Sequence, residues 1–173
     1  MSASWRSAAP NSKSECCKIQ PGGQAAWLLS FLLTGKDVLE IACGTGDFSL
    51  AAAETARSVT AIGLEDIRLS PAAAADGRMR FLRMDAAALT FPDGSFDTAV
   101  LSNALGHLTA VLPGMLAEAL RVLRPGGTLT VCSSFSLDKC AMEERFFPLL
   151  RQQGLPFSFR EEGPFRLIEV PKN

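Results

Sequence analysis

Gly44-Thr45-Gly46 directly follows an apolar run, Val38 to Ala42, that is broken only by Glu40. Glycines at this spacing let a chain turn through positive φ. Lacking a Cβ, they also bring the backbone close to a ligand, beside the N–H groups that open a helix. The chemistry such a corner supports is nucleotide binding. It is not the dinucleotide fingerprint, whose third glycine is replaced here by Ser49. A second candidate for chemistry is His107, the only histidine of a chain without tyrosine, and so the group best placed to act as a general base near neutral pH. The competing role for a polar residue at the end of a strand is to cap or hydrogen-bond its own loop, and this reading is favoured. Cys16-Cys17 offers adjacent thiols to a soft metal, but no second pair stands at ligand spacing, so two free thiols are expected.

The elements that must position these groups alternate strand and helix. After Gly46, Phe48, Leu50, Ala51 and Ala52 mark a helical stripe, so strand, glycine turn and helix follow one another. Ser58 to Leu64 reads as a second parallel strand, Ser70-Pro71 as a helix start with serine as cap, and Met79 to Met84 as a strand near the sheet edge. Phe91-Pro92-Asp93-Gly94 turns into the strand Thr98 to Leu101. A helix over Leu116 to Leu123 then ends at Arg124-Pro125-Gly126-Gly127 and enters the strand Thr128 to Cys132. Beyond it, Leu137 to Gln152 is helical, and Phe157 to Arg160 with Arg166 to Val170 form a hairpin around Glu162-Gly163-Pro164. Upstream, Ala25, Trp27, Leu28, Phe31 and Leu32 fall at helical spacing before Gly35, with their aromatic rings expected in the core. Residues 1–20 mix Ser, Lys, Pro and Asn and read as a flexible arm, leaving 21–173 as a single domain.

Composition narrows the function. The 173 residues suit one domain with its own core, and 17 basic against 18 acidic residues argue against electrostatically driven nucleic-acid binding. The first eighteen residues lack the apolar core of a secretory signal, and the run Ala25 to Leu33 is too short to span a bilayer, so no membrane association is expected. Five unpatterned cysteines, with Cys43 and Cys132 in expected strands, fit a reducing cytoplasm.

Taken together, Val38-Leu39-Glu40-Ile41-Ala42-Cys43-Gly44-Thr45-Gly46, Phe91 to Asp97 and Leu123-Arg124-Pro125-Gly126-Gly127 resemble three motifs of class I S-adenosylmethionine-dependent methyltransferases, in particular the ubiquinone/menaquinone-biosynthesis type. The likeness runs over nearly the whole chain from Gly22. It implies an α/β, Rossmann-like, doubly wound sheet of seven strands, mostly parallel with an antiparallel last strand. It also implies S-adenosylmethionine as cofactor, held at Glu40, Ala42, Gly44, Thr45 and Gly46, with Glu40 near the methionine amine, Asp85 and Ala86 at adenine, and Asn103 toward the methionine end. The arginines around the third motif, Arg121 and Arg124, are expected to be solvated.

The family's ribose-binding acid is the point of departure, because its usual spacing from Gly46 falls on Gly63. Glu65 or Asp66 is then the replacement, and Glu65 is favoured since residues two apart in a strand share a face. Amino-nitrogen methyltransferases read Asn/Asp-Pro-Pro-aromatic where this chain has Asn103-Ala104-Leu105-Gly106, so amino acceptors are disfavoured.

The expected activity is methyl transfer to a small-molecule acceptor. With little cap over it, the site is expected to be open or to be completed by the N-terminal arm, a protein partner or a second copy, and Phe135, Phe146 and Phe147 are candidates for an acceptor pocket, with core packing favoured. The alternative is a methyltransferase-like binding or scaffold subunit without catalysis, which Gly63 and the small cap would suit. A nicotinamide-dependent oxidoreductase is disfavoured by Ser49 and by the terminal hairpin.

Overall fold

The computed structural model describes residues 21–64 and 69–173. Helices α1 (Pro21–Leu28) and α2 (Ser30–Leu33) lead into β1 (Asp37–Ile41), a tight turn and α3 (Asp47–Ala52). Then come β2 (Ser58–Gly63), α4 (Pro71–Ala75), β3 (Met79–Arg83) and β4 (Phe96–Ser102). A 3-10 turn (Leu105–Leu108), α5 (Leu112–Val122) and β5 (Leu123–Ser133) follow. The chain closes with α6 (Ser136–Ala141), a π-helical turn (Met142–Phe146), α7 (Phe147–Gln152), β6 (Ser158–Glu162) and β7 (Phe165–Pro171).

The strands form one sheet in the order β3-β2-β1-β4-β5-β7-β6, the first five parallel and β7 antiparallel to both β5 and β6. This is the seven-stranded doubly wound arrangement expected from the sequence. The order reverses between β1 and β4, side by side in its middle, and a ligand crevice opens there beyond the strand ends. Period-two alternation divides the side chains of β1: Leu39 and Ile41 join a core with Leu101, Met115 and Phe146, while Val38 joins the opposite one with Leu29, Leu33 and Phe48. Glu40 takes the face of Val38 and so meets α3.

Several expectations need correcting. Trp27 and Phe31 are not core residues; they are 51% and 68% exposed, because the arc of α1 and α2 that meets the sheet carries Ala25, Ala26, Leu29 and Leu33 instead. Cys43 lies past the end of β1, in the turn. α5 begins at Leu112 rather than Leu116, and β5 begins at Leu123, so the Arg-Pro-Gly-Gly segment is an irregularity within the strand, where its pairing with β4 shifts register. The helix expected over Leu137 to Gln152 contains the π turn just before Pro148, whose missing N–H interrupts the α-helical ladder.

Arg121, at the end of α5, and Arg124, in that irregular segment, are half-exposed but ion-paired rather than free in solvent. Arg121 donates to the Glu118 and Asp93 carboxylates and to the carbonyls of Leu89 and Phe91. Arg124 donates to Asp97, Asp37 and the Ser95 carbonyl at 2.6, 3.0 and 3.0 Å. The Arg57 guanidinium on Asp37, assisted by Ser58 and Arg124, holds that carboxyl well below the usual carboxylate range against the opposing effect of burial. This network pins the N-terminal ends of β1, β2 and β4 together.

Gly127 is where the irregular strand start has no room. A Cβ there would stand 2.9 Å from the backbone oxygens of both Arg124 and Asp97, neither of which can swing aside. Gly127→Ala is expected to lower stability by about 1–3 kcal/mol, the usual range for forced overpacking. Urea denaturation checks this, and an unchanged midpoint would count against the backbone-contact argument.

Candidate functional site

A cleft of about 610 Å³ opens at the carboxyl ends of β1 to β4, a size suited to a nucleotide-sized ligand. Its floor is the turn after β1. Gly44 and Gly46 both have positive φ, 54° and 78° respectively, and so does Ala42 at 58°. A Cβ on Gly44 would meet nothing within 4 Å, so the backbone there faces open space. Gly46 differs: a Cβ would stand 2.9 Å from both Ala73 Cβ and Leu69 Cδ2, and its N–H is already bonded to the Cys43 carbonyl. Gly44 therefore forms cleft wall, while Gly46 lets α4 pack against the turn.

Glu40 reaches the cleft from β1 while only 1% exposed. One of its oxygens, Oε2, accepts both the backbone N–H and the hydroxyl of Ser49. The residue that breaks the dinucleotide fingerprint thus anchors this carboxylate. Burial pushes the Glu40 pKa from 4.5 up to about 8, the Ser49 hydrogen bonds opposing the rise and the Asp47 charge adding to it. A buried carboxyl on a cleft wall, with no cation among its bonded partners in the described residues, has the chemistry to accept a ligand's ammonium group. Cys43 lines the same wall, but burial pushes its thiol up to about 12, which leaves no nucleophilic thiolate near neutral pH.

On the next strands, Asp85 follows β3 at the rim, with one oxygen accepting the Ala87 N–H at 2.9 Å and the side chain exposed. Ala86 lies beside it, buried. Thr45 is on the wall too, its hydroxyl donated to Asp47 at 2.7 Å. Asn103, at φ 52°, lines the cleft through the loop after β4 while its carbonyl oxygen accepts the Ser134 N–H at 2.8 Å and the Ser133 hydroxyl at 3.1 Å. His107, on the 3-10 turn, is exposed on the same wall.

Of the residues singled out from sequence, Glu40, Ala42, Gly44, Thr45, Asp85, Ala86, Asn103 and His107 line this one cleft, and Gly46 shapes its turn. Glu65 and Asp66 lie outside the described residues. Gly63 is at the cleft, and a Cβ there would make only ordinary contacts, 3.6 Å to the Phe81 ring and 3.8 Å to Cys43 Sγ. Of the three phenylalanines divided between core and pocket, Phe146 is fully buried and Phe147 stacks on Phe157 at 5.4 Å, while Phe135 stands on the cleft wall, 49% exposed. Leu64, Leu108 and Val111 also line the wall and carried no signal in the sequence beyond being apolar.

Comparison with known proteins fits this geometry. The model of the family "Methyltransferase domain" matches residues 38–127, slightly more than half of the chain. A demethylmenaquinone methyltransferase of Clavibacter sepedonicus is 33% identical over 127 residues, 72% of this chain and 51% of that protein. The ubiquinone/menaquinone biosynthesis C-methyltransferase UbiE of Dinoroseobacter shibae is 34% identical over 117 residues, 63% of this chain and 46% of its own length. The chain thus spans about half the length of the curated relatives it matches. Among solved structures, a SAM-dependent methyltransferase from Aquifex aeolicus superposes with a TM-score of 0.72 over 95% of this chain and all of its own, at 16% identity, which speaks to the fold. On the family match and the fold together, the chain belongs to the methyltransferase-domain family, and its cofactor is S-adenosylmethionine.

Proposed function

We propose that this chain transfers the methyl group of S-adenosylmethionine to a carbon of a small quinone-type ring in its reduced form. The observation that carries the transfer itself is the cleft, which joins a buried carboxyl, Glu40, to an open glycine backbone at Gly44. In this seating Glu40 meets the amino group of the cofactor, the turn around Gly44 and Thr45 faces its amino-acid end, and Asp85 with Ala86 meets adenine. Glu65, two residues beyond Gly63, is the candidate for the ribose hydroxyls. The quinone acceptor is supported by the named activities of the two relatives and by the apolar wall made by Leu64, Leu108, Val111 and Phe135, against which a flat ring can stack.

The cofactor supplies a methyl group on a sulfonium, which is already an activated leaving group. The chain's part is to align the acceptor and exclude water. His107 is the candidate to take the proton of a ring hydroxyl, which raises electron density at the adjacent carbon as the carbon–methyl bond forms and the carbon–sulfur bond breaks toward sulfur. Loss of the methylated carbon's proton to water restores the aromatic ring, and the ring oxygen takes back the proton held by His107.

Calorimetric titration with S-adenosylmethionine and S-adenosylhomocysteine tests the cofactor half of this reading. Micromolar binding is expected, and Asp85→Ala and Glu65→Ala should each weaken it by about 1–3 kcal/mol, the range for a lost hydrogen bond to a charged group. Incubation with methyl-labelled cofactor and reduced demethylmenaquinone tests the acceptor half, with label expected in the extracted quinone. Binding without label transfer would sink the quinone assignment, and no binding at millimolar cofactor would favour a scaffold role for the domain.

A further inference from the structure

Two loops make the wall opposite the glycine turn, one after β4 and one after β5, and they are fastened to each other twice. The first fastening is Asn103, whose side-chain oxygen accepts from Ser133 and Ser134. The second is Asp138, on α6. Its Oδ1 accepts the Gly106 N–H at 2.7 Å across 32 residues of sequence. Ala104 and Phe135 stand between the two fastenings and His107 directly follows the second, all three on the cleft wall.

Asp138 is an unusual choice for such a link. It is 1% exposed, and its second oxygen, Oδ2, is buried with no hydrogen-bond partner among the described residues. An asparagine could accept from Gly106 equally well without the full burden of a buried carboxylate. The contact is short and comes from behind the turn, so it sets where the Leu105–Leu108 segment stands, and the His107 N–H bond to the Ala104 carbonyl at 3.1 Å carries that placement to the histidine.

We propose that Asp138 is the positioning residue of the acceptor wall: from outside the cleft its carboxylate holds the Leu105–Leu108 turn, and with it His107, where a methyl acceptor must reach. Naming the wall's occupant as a methyl acceptor rests on the methyl-transfer reading above; the fastening itself does not. Asp138 is not on the cleft wall and bonds to Gly106 rather than to Glu40 or the glycine turn, so the two halves of the site separate experimentally.

The test compares Asp138→Ala and Asp138→Asn with the wild-type chain by amide hydrogen exchange, by titration with S-adenosylhomocysteine and by turnover of reduced demethylmenaquinone. Asp138→Ala should speed exchange at Gly106 and His107 by about tenfold or more as the turn opens locally. It should leave S-adenosylhomocysteine affinity within about twofold, as for sites without shared partners. Asp138→Asn, which keeps the accepting oxygen, should restore slow exchange. In turnover, Asp138→Ala should raise the acceptor KM or lower kcat while the KM for the cofactor holds, and Asp138→Asn should recover most of the loss. Should Asp138→Ala fail to fold, Asp138→Ser is read in its place, having lost the reach to Gly106 while filling more of the space. Wild-type exchange at Gly106 in the truncated variant would overturn the proposal, and so would a loss of S-adenosylhomocysteine binding as deep as that of a Glu40 variant. A wild-type protein that methylates no quinone overturns the acceptor assignment instead, and the exchange and titration results still decide the role of Asp138.

Discussion

Glu40→Gln is expected to make the ligand-free protein more stable above about pH 6 while removing most of its affinity for S-adenosylmethionine. In the unfolded chain the carboxyl ionises near its ordinary value of 4.5, whereas burial in β1 keeps its proton in the folded state until about pH 8. Between those values the native protein holds a proton that the unfolded chain has lost, so the contribution of Glu40 to stability is full below about pH 4.5 and declines as pH rises through 8. One such proton corresponds to a slope of about 1.4 kcal/mol per pH unit in the middle of that window. Glutamine keeps the shape and an accepting oxygen for Ser49 but has no charge to desolvate, so the variant should lack this slope. The carboxyls held low by arginine, Asp37 among them, titrate below the window and are common to both proteins, so the difference between the two pH profiles isolates Glu40. Urea denaturation at half-unit steps from pH 5 to 9 measures it, and parallel profiles would refute the buried proton.

The same group makes a prediction for binding. In the proposed seating, the ammonium of the cofactor arrives beside Glu40 and favours its ionised form, so binding at pH 7 should release a proton. Titrations in two buffers of different ionisation heat should then give different apparent enthalpies for the wild-type chain and equal ones for Glu40→Gln. That variant should also bind more weakly by about 1.5–3 kcal/mol, the share of a hydrogen bond to a charged group.

What the sequence made legible was local. The turn after β1 is written in three adjacent residues, and the strands that carry the cleft are short apolar runs closed by turn residues, so their parallel direction is readable from alternation, whereas the order of the sheet is what the family resemblance implies. The burial of β1 on both faces was readable too, and with it the oddity of an acid inside the run. The arc by which α1 meets the sheet was not. Helical spacing groups Trp27 with Phe31 and Ala25 with Leu29 equally well, and only the close approach that small residues allow decides for the second pair, which is fully buried.

Partnerships over long sequence distance were not legible either. In sequence Arg124 reads as a solvated turn residue because its partners, Asp97 and Asp37, lie 27 and 87 residues away. Asp138 is the same case, a first-turn acid on a short helix whose role appears only when β4 and β5 bring Gly106 beside it. In sequence Ser49 speaks only against one cofactor class. In the structure it also has a positive role, anchoring Glu40, which no spacing rule conveys. The ribose end rests on sequence alone, since Glu65 and Asp66 lie outside the described residues.

The second large effect is expected at Gly46, and it separates two reasons for a glycine. At φ 78° any side chain pays a conformational cost, about 1–2 kcal/mol for an L-residue in the left-handed region. A Cβ would also press to 2.9 Å on Ala73 Cβ and Leu69 Cδ2. The leucine methyl ends a flexible side chain and can move, whereas the alanine Cβ is fixed to α4, so relief requires the helix to shift. Gly46→Ala should therefore cost about 2–4 kcal/mol in all, with overpacking adding to the strain. It should also loosen the turn that carries Gly44, weakening S-adenosylhomocysteine binding. Adding Ala73→Gly removes the fixed contact at a cost of about 1 kcal/mol in helix propensity. In the double mutant the overpacking term should vanish and the left-handed strain remain, so the two changes should be less than additive by about 1–2 kcal/mol. Strict additivity in urea denaturation would mean that α4 already moves freely against the turn, and the tight packing of Gly46 on α4 would no longer explain the glycine.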